Sequence, residues 1–262
     1  MKSIFVLLSC VASALLQPSA RADEWNHHWS VGSKPELYVS AGDAAVVVEA
    51  GNANGIDATL TTRGWSIGGS GVQVSEHQNG NRVEIYIKVP PTHFSFGERS
   101  IRLEVRVPRE LTGDIHTGDG SIRLDGLHGS IRADTGDGSI QGHDLDGSVD
   151  AHSGDGSLHL NGRFDNVQLR TQDGSVELRA RPGSRMGSDW RVQTGDGSVQ
   201  ISLPSDLSAD LELHTGDGHI RSDVPLTVTD LRSEHDVRGK LNGGGPSLTV
   251  RTGDGSITVN RS

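Results

Sequence analysis

Cysteine is nearly absent: the single one among 262 residues is Cys10, inside an N-terminal apolar segment. A disulfide framework is therefore excluded as the source of stability, and so is a paired-cysteine zinc site. No P-loop and no H-E-x-x-H pair occurs either. Aromatic residues are few, ten in all, and eight of them precede residue 117. Apolar runs are short: Ile4 to Leu16 is too short to span a bilayer, and no later stretch approaches about 18 apolar residues. Positive charge is in deficit, with 24 Lys and Arg against 34 Asp and Glu. That balance argues against nucleic acid or an anionic lipid surface as the partner.

Residues 1–22 have the pattern of a secretory signal: Lys2, then the apolar run, then Ala20-Arg21-Ala22 as an A-x-A cleavage site. Cleavage near Ala22 would place the protein in the periplasm or at the cell surface. The mature chain would then carry no cysteine, and 22 Lys and Arg against 34 acids. Leu7-Leu8-Ser9-Cys10 is a weak lipoprotein-like alternative, weakened because Val11 to Leu16 continue the apolar run past the cysteine.

What is abundant is glycine, 35 residues without a G-X-Y period, and it recurs inside one phrase. Thr117-Gly118-Asp119-Gly120-Ser121-Ile122 returns from Thr135, Ser153 and Thr171, each start 18 residues after the last. Further copies begin at Thr194, Thr215 and Thr252, after gaps of 23, 21 and 37. Between full copies sit half-copies, so every ninth residue from Ile122 to Val176 is aliphatic: Ile122, Ile131, Ile140, Val149, Leu158, Val167, Val176. A second inward position follows two residues later, as in a short strand with one buried face. The Gly-Asp-Gly steps read as corners, since Gly and Asp tolerate positive φ.

Strand, corner, strand, corner in 18 residues is one turn of a β-solenoid. The expected fold is an all-β, single-chain β-solenoid over residues 111–262, capped by an N-terminal β region at 23–110 that is continuous with it. Asn79-Gly80 between two strand-like runs predicts a hairpin. Trp65, Tyr86, Phe94 and Phe96 are expected to plug the open top of the stack, with a sugar-stacking site as the alternative. The gap after Thr171 predicts a loop at 181–190. The gap after Thr215 predicts one degenerate turn plus a loop around 233–245.

Ile101 to Pro108 (IRLEVRVP), the repeated Thr-Gly-Asp-Gly-Ser-Ile steps and Val199 to Pro204 (VQISLP) resemble the bacterial putative-adhesin family of exported β-strand-repeat proteins. The resemblance spans roughly residues 36–259. It implies a right-handed solenoid and a role at the cell envelope, and it carries no catalytic residue to transfer.

Several side-chain patterns bear on chemistry. Gly64-Trp65-Ser66-Ile67-Gly68 matches the G-x-S-x-G nucleophile elbow, but a turn and a strand follow it where that elbow needs a helix. Asp119, Asp137, Asp155, Asp173, Asp196, Asp217 and Asp254 hold the same place in every phrase. Stacked about 4.8 Å apart, neighbours would repel by only roughly 1 kcal/mol in water. Each Asp is expected to hold its own turn by side-chain bonds to backbone N–H groups. The rival reading is a calcium ladder. The calcium β-roll pattern, however, aligned on Ile122, puts Gly120 where its ligand Asp belongs. His116, Asp134, His152 and Arg170 should stack in one outward column, with His116 and His152 about 9.6 Å apart, too far to share a metal.

No cofactor is expected. The expected function is a non-enzymatic, adhesin-like binding or structural module, its partner unknown, with cell-surface polysaccharide or an envelope protein as the partner classes. A polysaccharide lyase or hydrolase on a β-helix and a calcium-stiffened repeat protein are the alternatives. Ser256 to Val259 is expected to be an open terminal strand, giving a monomer with weak edge association.

Overall fold

The computed structural model describes residues 22–51, 54–91 and 99–262, with the side chains of 228–232 left aside. All of the expected signal but Ala22, including Cys10, and the expected plugs Phe94 and Phe96 lie outside the described residues. Within them the protein is all-β, and its pairing mixes parallel and antiparallel strands. No described helix is long and apolar enough to cross a membrane.

The N-terminal strands are β1 (Ala22–Ser30), β2 (Glu36–Ser40), β3 (Ala45–Ala50), β4 (Gly55–Arg63), β5 (Gln73–Asn79), β6 (Arg82–Lys88) and β7 (Ser100–Val107). The regular repeats form β8 (Glu110–Thr117), β9 (Ile122–Asp125), β10 (His128–Thr135), β11 (Ile140–Ser153), β12 (Leu158–Arg170) and β13 (Val176–Ala180). The remainder are β14 (Trp190–Gln193), β15 (Val199–Leu203), β16 (Ala209–Thr215), β17 (Ile220–Ser222), β18 (Leu226–Ser233), β19 (Asp236–Leu241), β20 (Ser247–Thr252) and β21 (Ile257–Arg261).

Each pass of the chain adds one strand to each of two runs of parallel pairs. In the first run β6, β2, β8, β10, the second half of β11, the second half of β12, β14, β20 and β16 are successive neighbours. In the second run the order is β7, β3, β9, the first half of β11, the first half of β12, β13, β15, β21 and β17. Ile140 pairs with Ile122 on one side and Leu158 on the other, while Val149 lies between Ile131 and Val167 in the first run. All six are buried, within one apolar cluster that extends from Trp29 to Val259. Alternation of inward apolar and outward polar residues puts those side chains in the interior.

Spatial order departs from sequence order at both ends. The first pass, β2 and β3, sits between the later pass β6 and β7 and the pass β8 and β9. The last pass, β20 and β21, is inserted between β14 and β15 on one side and β16 and β17 on the other. Ile257 to Val259 is therefore an interior segment, paired with both β15 and β17, and the open terminal strand expected there does not exist. Nor does a degenerate turn fill the gap between Thr215 and Thr252. An antiparallel hairpin of β18 and β19 does, lying against β16. The gap after Thr171 is filled by a loop between Ala180 and Trp190, as its Pro and Gly content predicts.

At the other end β1 pairs antiparallel with β4 and β4 with β7, while β5 and β6 form the hairpin predicted at Asn79-Gly80, with Gly80 at φ 59°. The aromatic plug differs from the expected one. Trp29 is buried and Trp25 packs partly against the core, both from β1, with His27 between them. Trp65 is half-buried, whereas Tyr86 stands 39% exposed and plugs nothing.

Candidate functional site

The phrase corners stack into a ridge. Backbone bonds run from Gly136 N–H to the Gly118 carbonyl at 2.6 Å, and from Gly253 N–H to the Gly195 carbonyl at 2.6 Å. Gly216 N–H in turn bonds the Gly253 carbonyl at 2.7 Å. The carboxylates consequently follow the order Asp119, Asp137, Asp155, Asp173, Asp196, Asp254, Asp217, and Asp43 of the first pass precedes them. All eight are exposed. No side-chain hydrogen bond or ion pair engages any of the seven phrase aspartates among the described residues, so they do not hold their own turns.

The turn-holding group is the phrase's first residue. Thr135 Oγ1 donates to the Gly120 carbonyl at 2.8 Å, Ser153 Oγ to Gly138 at 2.9 Å and Thr171 Oγ1 to Gly156 at 2.9 Å. The same bond recurs at Thr117, Thr194, Thr252 and Thr215, and all seven residues are buried. A buried hydroxyl needs a partner, and the passing backbone supplies one. The signal was present in the sequence, since every phrase opens on Thr or Ser. The second glycine of each phrase is also explained differently from its expected role. Gly120, Gly138 and their equivalents are absent from the positive-φ residues. They are glycine because a Cβ at Gly138 would be driven into the Gly120 carbonyl of the neighbouring pass.

The outward side of the first run presents a long surface made of in-register rows. One row reads Tyr86, Ser40, His116, Asp134, His152, Arg170, Gln193, Arg251, His214. The column predicted from His116 to Arg170 is thus present. At its head Tyr38 lies 5.5 Å from both Tyr86 and His116, ring to ring. Tyr86 donates to Glu84 at 3.0 Å, which raises the phenol above its ordinary pKa. Hydrogen bonds from Arg82 and then Tyr86 hold Glu84 below the usual carboxylate range.

One pass further, the fold adds Asp114 to the column neighbours His116 and Asp134. His116 Nε2 lies 2.7 Å from Asp114 and its Nδ1 3.3 Å from Asp134. Arg132 also binds Asp134, at 2.8 Å, and that hydrogen bond raises the guanidinium's pKa. The ligand atoms of Asp114, His116 and Asp134 fall within 4.8 Å of one another. Yet both ring nitrogens already face carboxylates, and Arg132 competes for one of these. A metal would have to break an ion pair to enter, so the set reads as a charge network.

Beyond it opens a cleft of about 320 Å³ lined by Arg132, Asp134, Asp150, His152, Arg170 and Arg191 among others. The second run carries a cleft of about 440 Å³ on its own outward side, where Glu177 meets His159 at 3.2 Å and Arg179 at 2.6 Å. Burial pushes the Glu177 carboxyl up, but the two hydrogen bonds outweigh it and hold the group low. The G-x-S-x-G match lies in the turn after β4, where Ser66 accepts a backbone bond from Val72 and the strand β5 follows. The elbow's helix is missing, and the match is a turn.

No family model and no curated protein matches the chain. Among solved structures, it is similar to a putative cell adhesion protein from Clostridium sporogenes, at 10% identity and TM-score 0.44, covering 92% of this chain and 100% of that one. It is also similar to a putative adhesin from Parabacteroides merdae, at 10% identity and TM-score 0.48, covering 90% and 95%. A putative lipid binding protein from Parabacteroides distasonis stands at 14% identity and TM-score 0.46, covering 90% and 96%.

Proposed function

We propose that the protein is an exported, non-enzymatic β-solenoid of 18-residue turns. On this reading residues 1–22 are removed as a signal, residues 23–110 cap the stack and residues 111–262 form its body. It acts at the cell envelope as an adhesin-like binding module, and its ligand is an extended polymer laid along the outward side of the first run. The observation that carries this is the run's register. Nine strands from β6 to β16 keep their outward residues in continuous rows, from the Tyr38 and Tyr86 rings to Arg251 and His214. At about 4.8 Å per strand, those rows extend roughly 38 Å. Rows of that length suit a chain ligand rather than a small molecule, which would be held in a deep pocket.

A catalytic reading is weaker on the same surface. Asp114 and Asp134 share His116, with Arg132 also on Asp134, and Asp146 and Asp165 share Arg163, so the acids brought together here are already committed to partners. The test is a screen of the mature protein against cell-wall and extracellular polysaccharides, scoring retention and released product separately. Retention without product is expected. Product release would replace this reading with a carbohydrate-active enzyme, and neither signal would remove polysaccharide as the ligand.

A further inference from the structure

Several arginines on the outward surface of the first run are paired with acids. Arg82 binds Glu36 and Glu84, Arg132 binds Asp134, and Arg163 binds Asp146 and Asp165. Arg170, Arg191 and Arg251 have no carboxylate within ion-pair distance among the described residues, and all three are exposed. They are neighbours: Arg170 lies opposite Gln193, Gln193 opposite Arg251, and Arg191 opposite Gln168 on the same strands. Arg170 and Arg251 are thus two strands, about 9.6 Å, apart, with Arg191 on the strand between them. The one side-chain hydrogen bond among the three guanidinium groups is from Arg170 to the Gln193 amide oxygen at 2.9 Å.

Three unpaired guanidinium groups on adjacent strands, in a chain with ten more acids than bases, call for an explanation. Arg170 and Arg191 line the cleft of about 320 Å³ together with His152, Gln168, Gln193 and the acids Asp134 and Asp150, and Arg251 lies on the next strand, beside Gln193. A guanidinium presents a planar fork that fits a carboxylate or sulfate through two parallel hydrogen bonds. The interleaved amides and the imidazole suit hydroxyl groups. We infer that Arg170, Arg191 and Arg251 form a subsite for the acidic groups of an anionic glycan, a uronate or sulfated chain. This deepens the polymer-binding reading above and rests on it.

Nucleic acid and anionic bilayers carry the same kind of charge but fit less well. The exposed ridge from Asp43 to Asp217 and the overall negative charge repel an extended polyphosphate or a charged plane. A glycan that carries acidic groups only at intervals can set one at the three guanidinium groups and neutral sugars along the rest of the run, which limits both repulsions.

The experiment titrates the mature protein, by calorimetry at moderate salt, with a short oligogalacturonate and with a neutral oligogalactose of equal length. A sulfated oligosaccharide separates sulfate from carboxylate as the preferred group. Inorganic polyphosphate and phosphatidylserine vesicles form the remaining arms. The expected result is preference for an acidic sugar, with about tenfold loss in each of Arg170→Gln and Arg191→Gln. Arg123→Gln and Arg221→Gln, on the outward side of the second run, should bind as wild type. Circular dichroism confirms that each variant is folded. Acidic-sugar binding unchanged in the Arg170 and Arg191 variants would overturn the subsite. So would equal affinity for the neutral sugar, although polymer binding would then stand. Polyphosphate or vesicles binding as tightly as the acidic sugars would reduce the patch to general anion attraction and also overturn it. If no sugar binds, the subsite is wrong, and the polysaccharide screen decides separately whether the broader reading falls too.

Discussion

The Thr135 hydroxyl donates to the carbonyl of Gly120 across 15 residues of sequence, at 2.8 Å, and also receives the Gly138 N–H at 3.3 Å. A single oxygen therefore ties one corner to the corner of the neighbouring pass and closes its own turn. The donated bond recurs at seven buried positions and the accepted one at six of them, and together they do what the exposed aspartates were expected to do.

Thr135→Val keeps the shape and deletes the hydroxyl. It should leave the Gly138 N–H without that partner and cost about 1–3 kcal/mol. Thr135→Ser should be tolerated much better, because Ser153 fills the equivalent position with the same bond. Urea unfolding of both variants checks the order; a Val variant as stable as Ser would show the hydroxyl to be dispensable.

Gly138→Ala should be more damaging, costing about 3 kcal/mol or more, because its Cβ meets rigid backbone at the Gly120 carbonyl. Gly32→Ala is the control. Its Cβ would rest 3.4 Å from the Asn81 side chain on the exposed surface, so a change within about 1 kcal/mol is expected. Comparable melting temperatures for the two variants would contradict close approach as the reason for glycine in the phrase.

The carboxylate ridge makes a prediction of opposite sign. With no cation among its ion pairs, it should be relieved by screening, so added sodium chloride should raise the melting temperature. Asp155→Asn, in the middle of the ridge, should raise it slightly as well. Excess chelator should change nothing. A chelator-induced loss of structure that calcium restores would establish the calcium ladder instead.

Thr258→Pro tests the inserted last pass. Thr258 pairs with Gln200 on one side and Arg221 on the other, so proline removes a ladder bond from an interior strand. The expected outcome is a marked loss of thermal stability. A variant as stable as wild type, altered only in self-association by light scattering, would restore the open edge.

Much of the fold was legible because stacking imposes strict periodicity. The nine-residue spacing from Ile122 to Val176 identifies the inward positions, since a strand that buries one face needs an apolar residue at every second place. The outward column from His116 to Arg170 follows from the same count. Asp114 was harder to connect. It lies two residues before His116 on β8, and its link to His116 and Asp134 depends on side-chain directions that a repeat count does not supply. The unpaired state of Arg170, Arg191 and Arg251 was hidden for a related reason. Arg191 and Arg251 follow irregular gaps, so only the strand pairing reveals them as neighbours.

The sequence by itself determined the strands, their buried faces and the corners, because each depends on local alternation and on small residues at fixed intervals. Tertiary structure decided the order of the passes at the two ends. Parallel pairing accepts any strand with matching inward residues, and the phrase at Thr252 matches that at Thr194 as well as it matches that at Thr215. Local pattern cannot distinguish a terminal pass from an inserted one. What separates them is closure of the exposed end: β18 and β19 lie against β16, and the last pass takes an interior place where both of its edges are paired.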